Sequence, residues 1–209
     1  IAPVRDTLYM FRFFSHPLDS FYEVKKGNRG SYVGATIVYL STFVAFMASL
    51  VGKGFIYQKV AIEDIDYQAN VIGFFSLTLL FVLCNYLVSS INDGEGKLGQ
   101  LYKMLCYSMG PLLLSLILTT ILSHFLTLNE VFFLQMITIT GIVWTGLLIL
   151  LGVQENHNYD TRVAIKSILM TVLFMLIIIV VLLIIIIMAE QLYQFFESIV
   201  KEAIRNVTR

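Results

Sequence analysis

Five stretches of the chain, residues 32–51, 69–91, 104–125, 131–153 and 167–189, contain no Asp, Glu, Lys or Arg. Each has the length of about 20 residues that a helix rising ~1.5 Å per residue needs to cross a ~30 Å hydrocarbon layer. The apolar runs are continuous rather than alternating at period two, which argues against a membrane β-barrel. The pattern predicts an all-α membrane protein, a bundle of five transmembrane helices at 31–189. An interfacial N-terminal helix in 1–30 and an amphipathic C-terminal helix in 190–209 are predicted to flank it.

In the N-terminal segment Val4, Leu8 and Phe11, with neighbouring Tyr9 and Phe13, recur at helical spacing among Arg5, Asp6 and Arg12. Such a segment lies in the headgroup plane with its apolar face down; a tether carrying stray aromatics is the plainer alternative. Pro17 interrupts it after Ser15-His16, and Ser20 with Glu23 has the spacing of a capping box for a second short helix. In the tail Leu192, Phe195, Phe196, Ile199, Ala203 and Val207 line one face, and Glu197, Lys201, Glu202 and Arg205 another. Helices that rest on lipid usually carry an excess of Lys and Arg, and this tail is balanced. The balance leans toward docking on a partner, with a plain extension of the fifth span equally open. Asn206-Val207-Thr208 matches a short glycosylation sequon without other support.

Inside the spans the polar residues fall in stripes. Pro111, after Tyr107-Ser108-Met109-Gly110, removes a backbone hydrogen bond and predicts a kink, with Gly110 adding room. In lipid the freed carbonyl must be satisfied by protein, so this stretch should face other helices. Ser108, Ser115, Thr119 and Ser123 follow roughly that face. Gln135, Thr138, Gly141 and Thr145 form a similar stripe in the fourth span, and Asn85 is the most buried-looking polar residue of the second. Gly110, Pro111, Ser115, Gln135, Gly141 and Trp144 are the candidates for kink and helix packing, with the second, third and fourth spans as the packed centre. In the fifth span Thr171 is the only polar side chain over 168–188, which suits a helix mostly surrounded by lipid.

Composition agrees with this picture. Hydrophobic residues make up 58% of the chain and charged residues 13%, against about 25% charged in ordinary soluble domains. A formal net charge of zero supplies no field that would draw nucleic acid. Of the 14 Lys and Arg, nine fall on the N-terminal side of the bundle, which places the N-terminus in the cytoplasm and the C-terminus outside. Cys84 and Cys106 lie within spans and read as small buried side chains rather than a disulfide. The first thirty residues lack the pattern of a cleavable signal peptide, and the start at Ile1 leaves room for an upstream segment.

Reactive chemistry is missing. None of the five runs holds an Asp, Glu, Lys or Arg, and His124 lies at the outer end of the third; ionisable residues deep in a span are the usual mark of proton relays, ion coupling or hydrolysis in the bilayer. No His-Glu-x-x-His, Gly-x-Ser-x-Gly or Walker pattern occurs. His16, His124 and His157 are scattered, and Glu63, Asp64 and Asp66 offer fewer oxygens than a divalent cation takes. The expectation is no catalytic residue, no metal and no cofactor. Polar groups gather instead on one side, in the turn Asn92-Asp93-Gly94-Glu95-Gly96-Lys97, the loop 152–162 and the N-terminal segment. The candidate interaction surface comprises His16, Pro17, Asp19, Phe21, Gly94, Glu95, Gly96, Glu155, His157, Tyr159, Asp160 and Arg162. The two glycines permit positive φ, Asp160 can cap the fifth helix, and Glu155 can pair with Arg162. An ordinary capped loop is the competing reading.

These motifs resemble the Yip1-domain family of five-span membrane proteins. The likeness lies in the Gly94/Gly96 turn leading to Tyr107-Ser108-Met109-Gly110-Pro111, in Gly141-x-x-Trp144, and in Gly152 with His157 and Tyr159 before a purely aliphatic fifth span. Phe14-Ser15-His16-Pro17-Leu18-Asp19-Ser20-Phe21-Tyr22, followed by Lys25, Lys26, Arg29 and Gly30, is similar to the bacterial branch, as is the amphipathic tail. The resemblance implies small GTPases of the Rab type as partners for eukaryotic members, but the Asp-Leu-Tyr-Gly-Pro signature of those members is absent here. For bacterial relatives it implies an accessory subunit of carbohydrate ABC importers, beside their permeases. The function expected is therefore a non-catalytic scaffold or accessory subunit that binds other membrane proteins, in a carbohydrate ABC importer or a membrane-trafficking assembly. It would sit in the bilayer of a bacterial plasma membrane, without nucleic acid, and is compatible with a homo-oligomer. The alternative is a small-solute transporter or channel whose uncharged path uses the Pro111 kink with Ser108, Ser115, Thr119, Gln135 and Thr138.

Overall fold

The computed structural model describes residues 7–26, 30–58 and 61–207. The parts of the readings above that rest on Val4, Arg5, Asp6, Arg29, Lys59, Thr208 and Arg209, and on the side chains of Ala203, Asn206 and Val207, fall outside the described residues. Among the described residues, five helices are long and apolar enough to cross a membrane. The first span, Tyr32–Val51, starts at Ser31, whose hydroxyl accepts the Gly34 N–H at 3.0 Å. The second, Tyr67–Ile91, starts at Asp66, whose carboxylate accepts the Ala69 N–H at 2.9 Å. One member of the acidic trio thus serves as a helix cap.

The third span consists of two helical segments, Leu98–Ser108 and Gly110–Leu122, that meet at Met109. Pro111 lies in the first turn of the second segment, where its missing N–H costs least. The fourth span, Val131–His157, outruns its charge-free stretch because nothing in 153–157 breaks a helix; it stops at Asn158, which adopts the left-handed conformation (φ 55°). The polar loop expected at 152–162 therefore shrinks to residues 158–160. No Gly or Pro occurs in the fifth helix, Thr161–Val207, and it runs unbroken for 47 residues, about 70 Å at 1.5 Å per residue.

Ahead of the bundle, a 3-10 turn (Tyr9–Phe11) and a short helix (Arg12–Ser15) lead into a helix at Pro17–Lys25. Pro17 starts that helix, so the capping box expected at Ser20 does not form: Ser20 lies inside the helix and donates to the His16 carbonyl at 2.7 Å. Glu23 instead accepts from the Tyr9 hydroxyl at 2.7 Å and from Arg12 at 2.9 Å. The fully buried Phe13 stacks on Tyr107 of the third span (5.3 Å between centroids, 11°) and meets Phe21 edge-on at 4.7 Å. Leu8, Phe11 and Leu18 remain exposed. The segment thus packs one apolar face on protein and shows further apolar groups outward.

The third span lies at the centre, between the first and the fourth, while the fifth runs along the second and fourth. The expected centre named the second span, and the first takes that place. The first span's inner face holds Ala35, Thr42, Ala45 and Ser49, all buried and small enough for close approach. Phe74 and Phe75 of the second span meet Tyr39 and Phe43 of the first at 5.0–5.5 Å between centroids, and these rings hold the two helices apart.

The third and fourth spans cross closely at Ser115 and Gly141, where a Cβ on Gly141 would overlap the Ser115 side chain. Ser108, Ser115, Thr119 and Ser123 are buried, but each donates to a carbonyl three or four residues back in its own helix. Ser123 also accepts the Gly54 N–H at 2.9 Å, the one bond from these four hydroxyls to another segment among the described residues. In the fourth span Gly141 and Thr145 are buried, Thr138 is half-buried, and Gln135 and Trp144 are exposed.

Candidate interaction site at the N-terminal end of the bundle

Three segments far apart in sequence converge at the end of the bundle that carries the N-terminal helix. The first is the turn after the second span. Positive φ occurs there at Asp93 (55°), not at either glycine. Gly94 and Gly96 answer a different need, close approach: a Cβ on Gly94 would stand 2.5 Å from His157 Nδ1 and 2.6 Å from the Tyr159 hydroxyl, and one on Gly96 would strike the same imidazole.

The second segment is the end of the fourth helix. His157, buried, accepts the Gly96 N–H on Nδ1 at 3.2 Å, so in this arrangement the ring carries its proton on Nε2. Tyr159 stacks on it (5.2 Å, 20°), and its hydroxyl reaches the Asn92 carbonyl at 3.1 Å and the Ser89 carbonyl at 3.3 Å. Burial pushes the Tyr159 phenol up from its ordinary value.

The third segment enters through Lys25, a residue whose role spacing alone did not suggest. Its ammonium donates to the Asn158 side-chain carbonyl at 2.7 Å and to the Glu155 backbone carbonyl at 3.0 Å, and lies 3.9 Å from the Glu95 carboxylate. The Asn158 amide in turn donates to Glu95. Two further side chains fasten the same helix end. Gln100 donates to the Lys25 carbonyl at 2.9 Å and Lys103 to the Val24 carbonyl at 3.3 Å, with the Lys103 ammonium 5.0 Å from the centre of the Tyr32 ring. A helix C-terminus favours such cations and donors. The third helix begins at Leu98 rather than 104, so a buried lysine does lie within a membrane-spanning helix, satisfied by the docked segment.

Not all candidate residues meet here. Phe21 faces inward against Phe13. His16, Pro17 and Asp19 lie at the opposite end of the N-terminal helix from Lys25, with His16 and Asp19 exposed. Glu155 contributes its backbone carbonyl, and the Glu155–Arg162 ion pair does not form among the described residues. Asp160 accepts the Ala164 N–H on its backbone carbonyl, which places it at the N-cap position of the fifth helix. The Asp160 and Arg162 side chains are exposed and make no hydrogen bond or ion pair among the described residues. Nearby, burial and then the bond to the Glu23 carboxylate push the Tyr9 phenol up to about 12. No group of three or more His, Cys, Asp or Glu suited to a metal ion occurs among the described residues.

The helices and this end face define an integral membrane protein whose polar groups lock separate segments together. Residues 11–186 match the family model of the Yip1 domain, and the chain belongs to that family. No curated protein and no solved structure matches it. The matched region takes in the docked N-terminal helix and ends within the fifth span.

Proposed function

We propose that the protein is a non-catalytic scaffold or accessory subunit that binds other membrane proteins through the composite face around Lys25, Glu95, Asn158, Asp160 and Arg162. The observation that carries this reading is the convergence itself. Lys25 and Asn158 join three segments, and beside them Asp160 and Arg162 are exposed and make no hydrogen bond or ion pair among the described residues. Preorganised polar surfaces of this kind give specificity in recognition. The excess of Lys and Arg on the same side favours a cytoplasmic position for this face, and the likeness of the N-terminal segment to bacterial members favours a bacterial plasma membrane. The partners favoured are the permeases of a carbohydrate ABC importer; a small GTPase in a trafficking assembly is the analogy from eukaryotic members.

The test is co-purification of the full chain with a permease pair in mild detergent, comparing the unaltered protein with Asp160→Lys/Arg162→Glu. Loss of the complex, with thermal unfolding of the bundle unchanged, is the expected result. A complex insensitive to the reversal, or none with the unaltered chain, would overturn the proposal. The solute-path alternative is less well supported. Ser108, Ser115 and Thr119 spend their hydroxyl protons on their own helix and the Ser115–Gly141 crossing is tightly packed, while Gln135, Thr138 and Thr119 line an open cavity beside Lys53 and Tyr57.

A further inference from the structure

The fifth helix continues well past the membrane. Counting outward from the Asn85–Thr171 contact, nineteen residues along the two antiparallel helices reach Asp66 on one and Glu190 on the other. Asp66 is the polar cap that ends the second span, so the fifth helix emerges near Glu190 and projects onward to Val207. Sharp bends in helices arise at Pro, at Gly or at inserted groups, and 161–207 contain neither Gly nor Pro. The extension therefore keeps the direction of its span and carries its apolar face away from the bilayer surface.

That face is large and uncovered. Leu192 (58%), Phe196 (63%) and Ile199 (47%) are exposed, flanked by Phe195 and Val200. A lone helix of this length is marginal in water, and its stability comes from packing such a face. The opposite side is already self-satisfied, since Lys201 pairs with Glu197 at 2.6 Å and Arg205 with Glu202 at 3.9 Å. The helix thus offers neither the cationic surplus that holds a helix on anionic lipid nor a one-signed stripe that would select an oppositely charged partner.

The seam also has a period. Leu182, Ile185, Ala189, Leu192, Phe196 and Ile199 follow one another at alternating steps of three and four, the spacing of a coiled-coil core. The membrane fixes every copy in one orientation, so two such seams can meet only in parallel. We infer that the extension pairs with the same helix of a second copy, through Ala189, Leu192, Phe196 and Ile199, in a parallel coiled coil that starts within the membrane.

The test uses the full chain in nanodiscs or native membranes, with single cysteines introduced on the extension; Cys84 and Cys106 are buried and stay silent. Under mild oxidation Ile199→Cys should form a covalent dimer on the order of tenfold faster than Gln194→Cys, because only seam positions bring two Cα atoms within disulfide reach. Phe196→Glu should convert the assembly to monomer without moving the unfolding temperature of the bundle, which the extension does not touch. Equal rates at 194 and 199, or an oligomeric state unaffected by Phe196→Glu, would overturn the inference. So would a monomer whose seam is shielded only by phosphatidylglycerol vesicles. The pairing does not depend on the opposite face around Lys25, and either can fail alone.

Discussion

The Asn85 amide of the second span donates to Thr171 Oγ1 of the fifth at 3.1 Å, with both side chains fully buried. Thr171 is the only polar side chain over 168–188, and it meets the one Asn in the inner half of the second span. One turn along each helix, Ser89 and Ser167 are also buried. This polar seam sets the register of an otherwise apolar helix pair. Hydrogen bonds between membrane helices contribute roughly 0.6–2 kcal/mol. Thr171→Val should cost about that much, since it leaves the Asn85 amide unpaired in the interior. Adding Asn85→Leu should recover most of the loss, a non-additivity that a double-mutant cycle in detergent unfolding would measure. Additive losses would place the stabilisation elsewhere.

Gly141→Ala should be among the most damaging small substitutions. The new methyl would overlap both the hydroxyl and the Cβ of Ser115, and overpacking of this kind costs about 1–3 kcal/mol. Ser115→Ala keeps the offending Cβ and should not rescue. Ser115→Gly removes it and should restore part of the unfolding temperature despite the ~1 kcal/mol helix penalty of glycine. Rescue by alanine would mean that the hydroxyl alone matters.

The membrane helices were legible because charge is so costly in hydrocarbon that its absence marks each span. Their ends were less so. Lys103 read as the end of the loop before the third span, yet it lies inside the third helix, where the Val24 carbonyl, 79 residues away in sequence, accepts a hydrogen bond from its ammonium. Helical periodicity tells which residues share a face but not which helix that face meets, so the second span was placed centrally and the first was overlooked. In the end face Gly94, Gly96, His157 and Tyr159 stood out from the sequence, while Lys25 looked like one basic residue among several. Its partners Asn158 and Glu95 are joined to it only by folding.

Lys25→Met should loosen the N-terminal helix while leaving the spans in place. The substitution keeps the aliphatic stem but removes the donors to Asn158 and Glu155, while Gln100 and Lys103 still hold the helix end. A local loss of about 1–2 kcal/mol corresponds to roughly 5- to 30-fold faster amide exchange in the helix Pro17–Lys25. Exchange in the first span should not change. Hydrogen exchange by mass spectrometry reads both at once, and a uniform rise across the bundle would count against a local clip.

Tyr9 gives the docked segment an alkaline limit. Its phenol donates to Glu23 at 2.7 Å, and burial together with that carboxylate raises its pKa to about 12. The folded state therefore holds this proton more tightly than the unfolded chain, whose tyrosine titrates near 10. The stabilisation is complete below about pH 10 and is lost as the pH rises through about 12, when a phenolate would face the Glu23 carboxylate. A tyrosinate difference spectrum should show a late-titrating group that disappears in Tyr9→Phe. In the unaltered protein its ionisation should coincide with release of the segment, followed as faster cross-linking at a cysteine placed at Phe13. A Tyr9 signal that titrates near 10 with the segment still docked would break the link between this bond and the anchoring of the N-terminal helix.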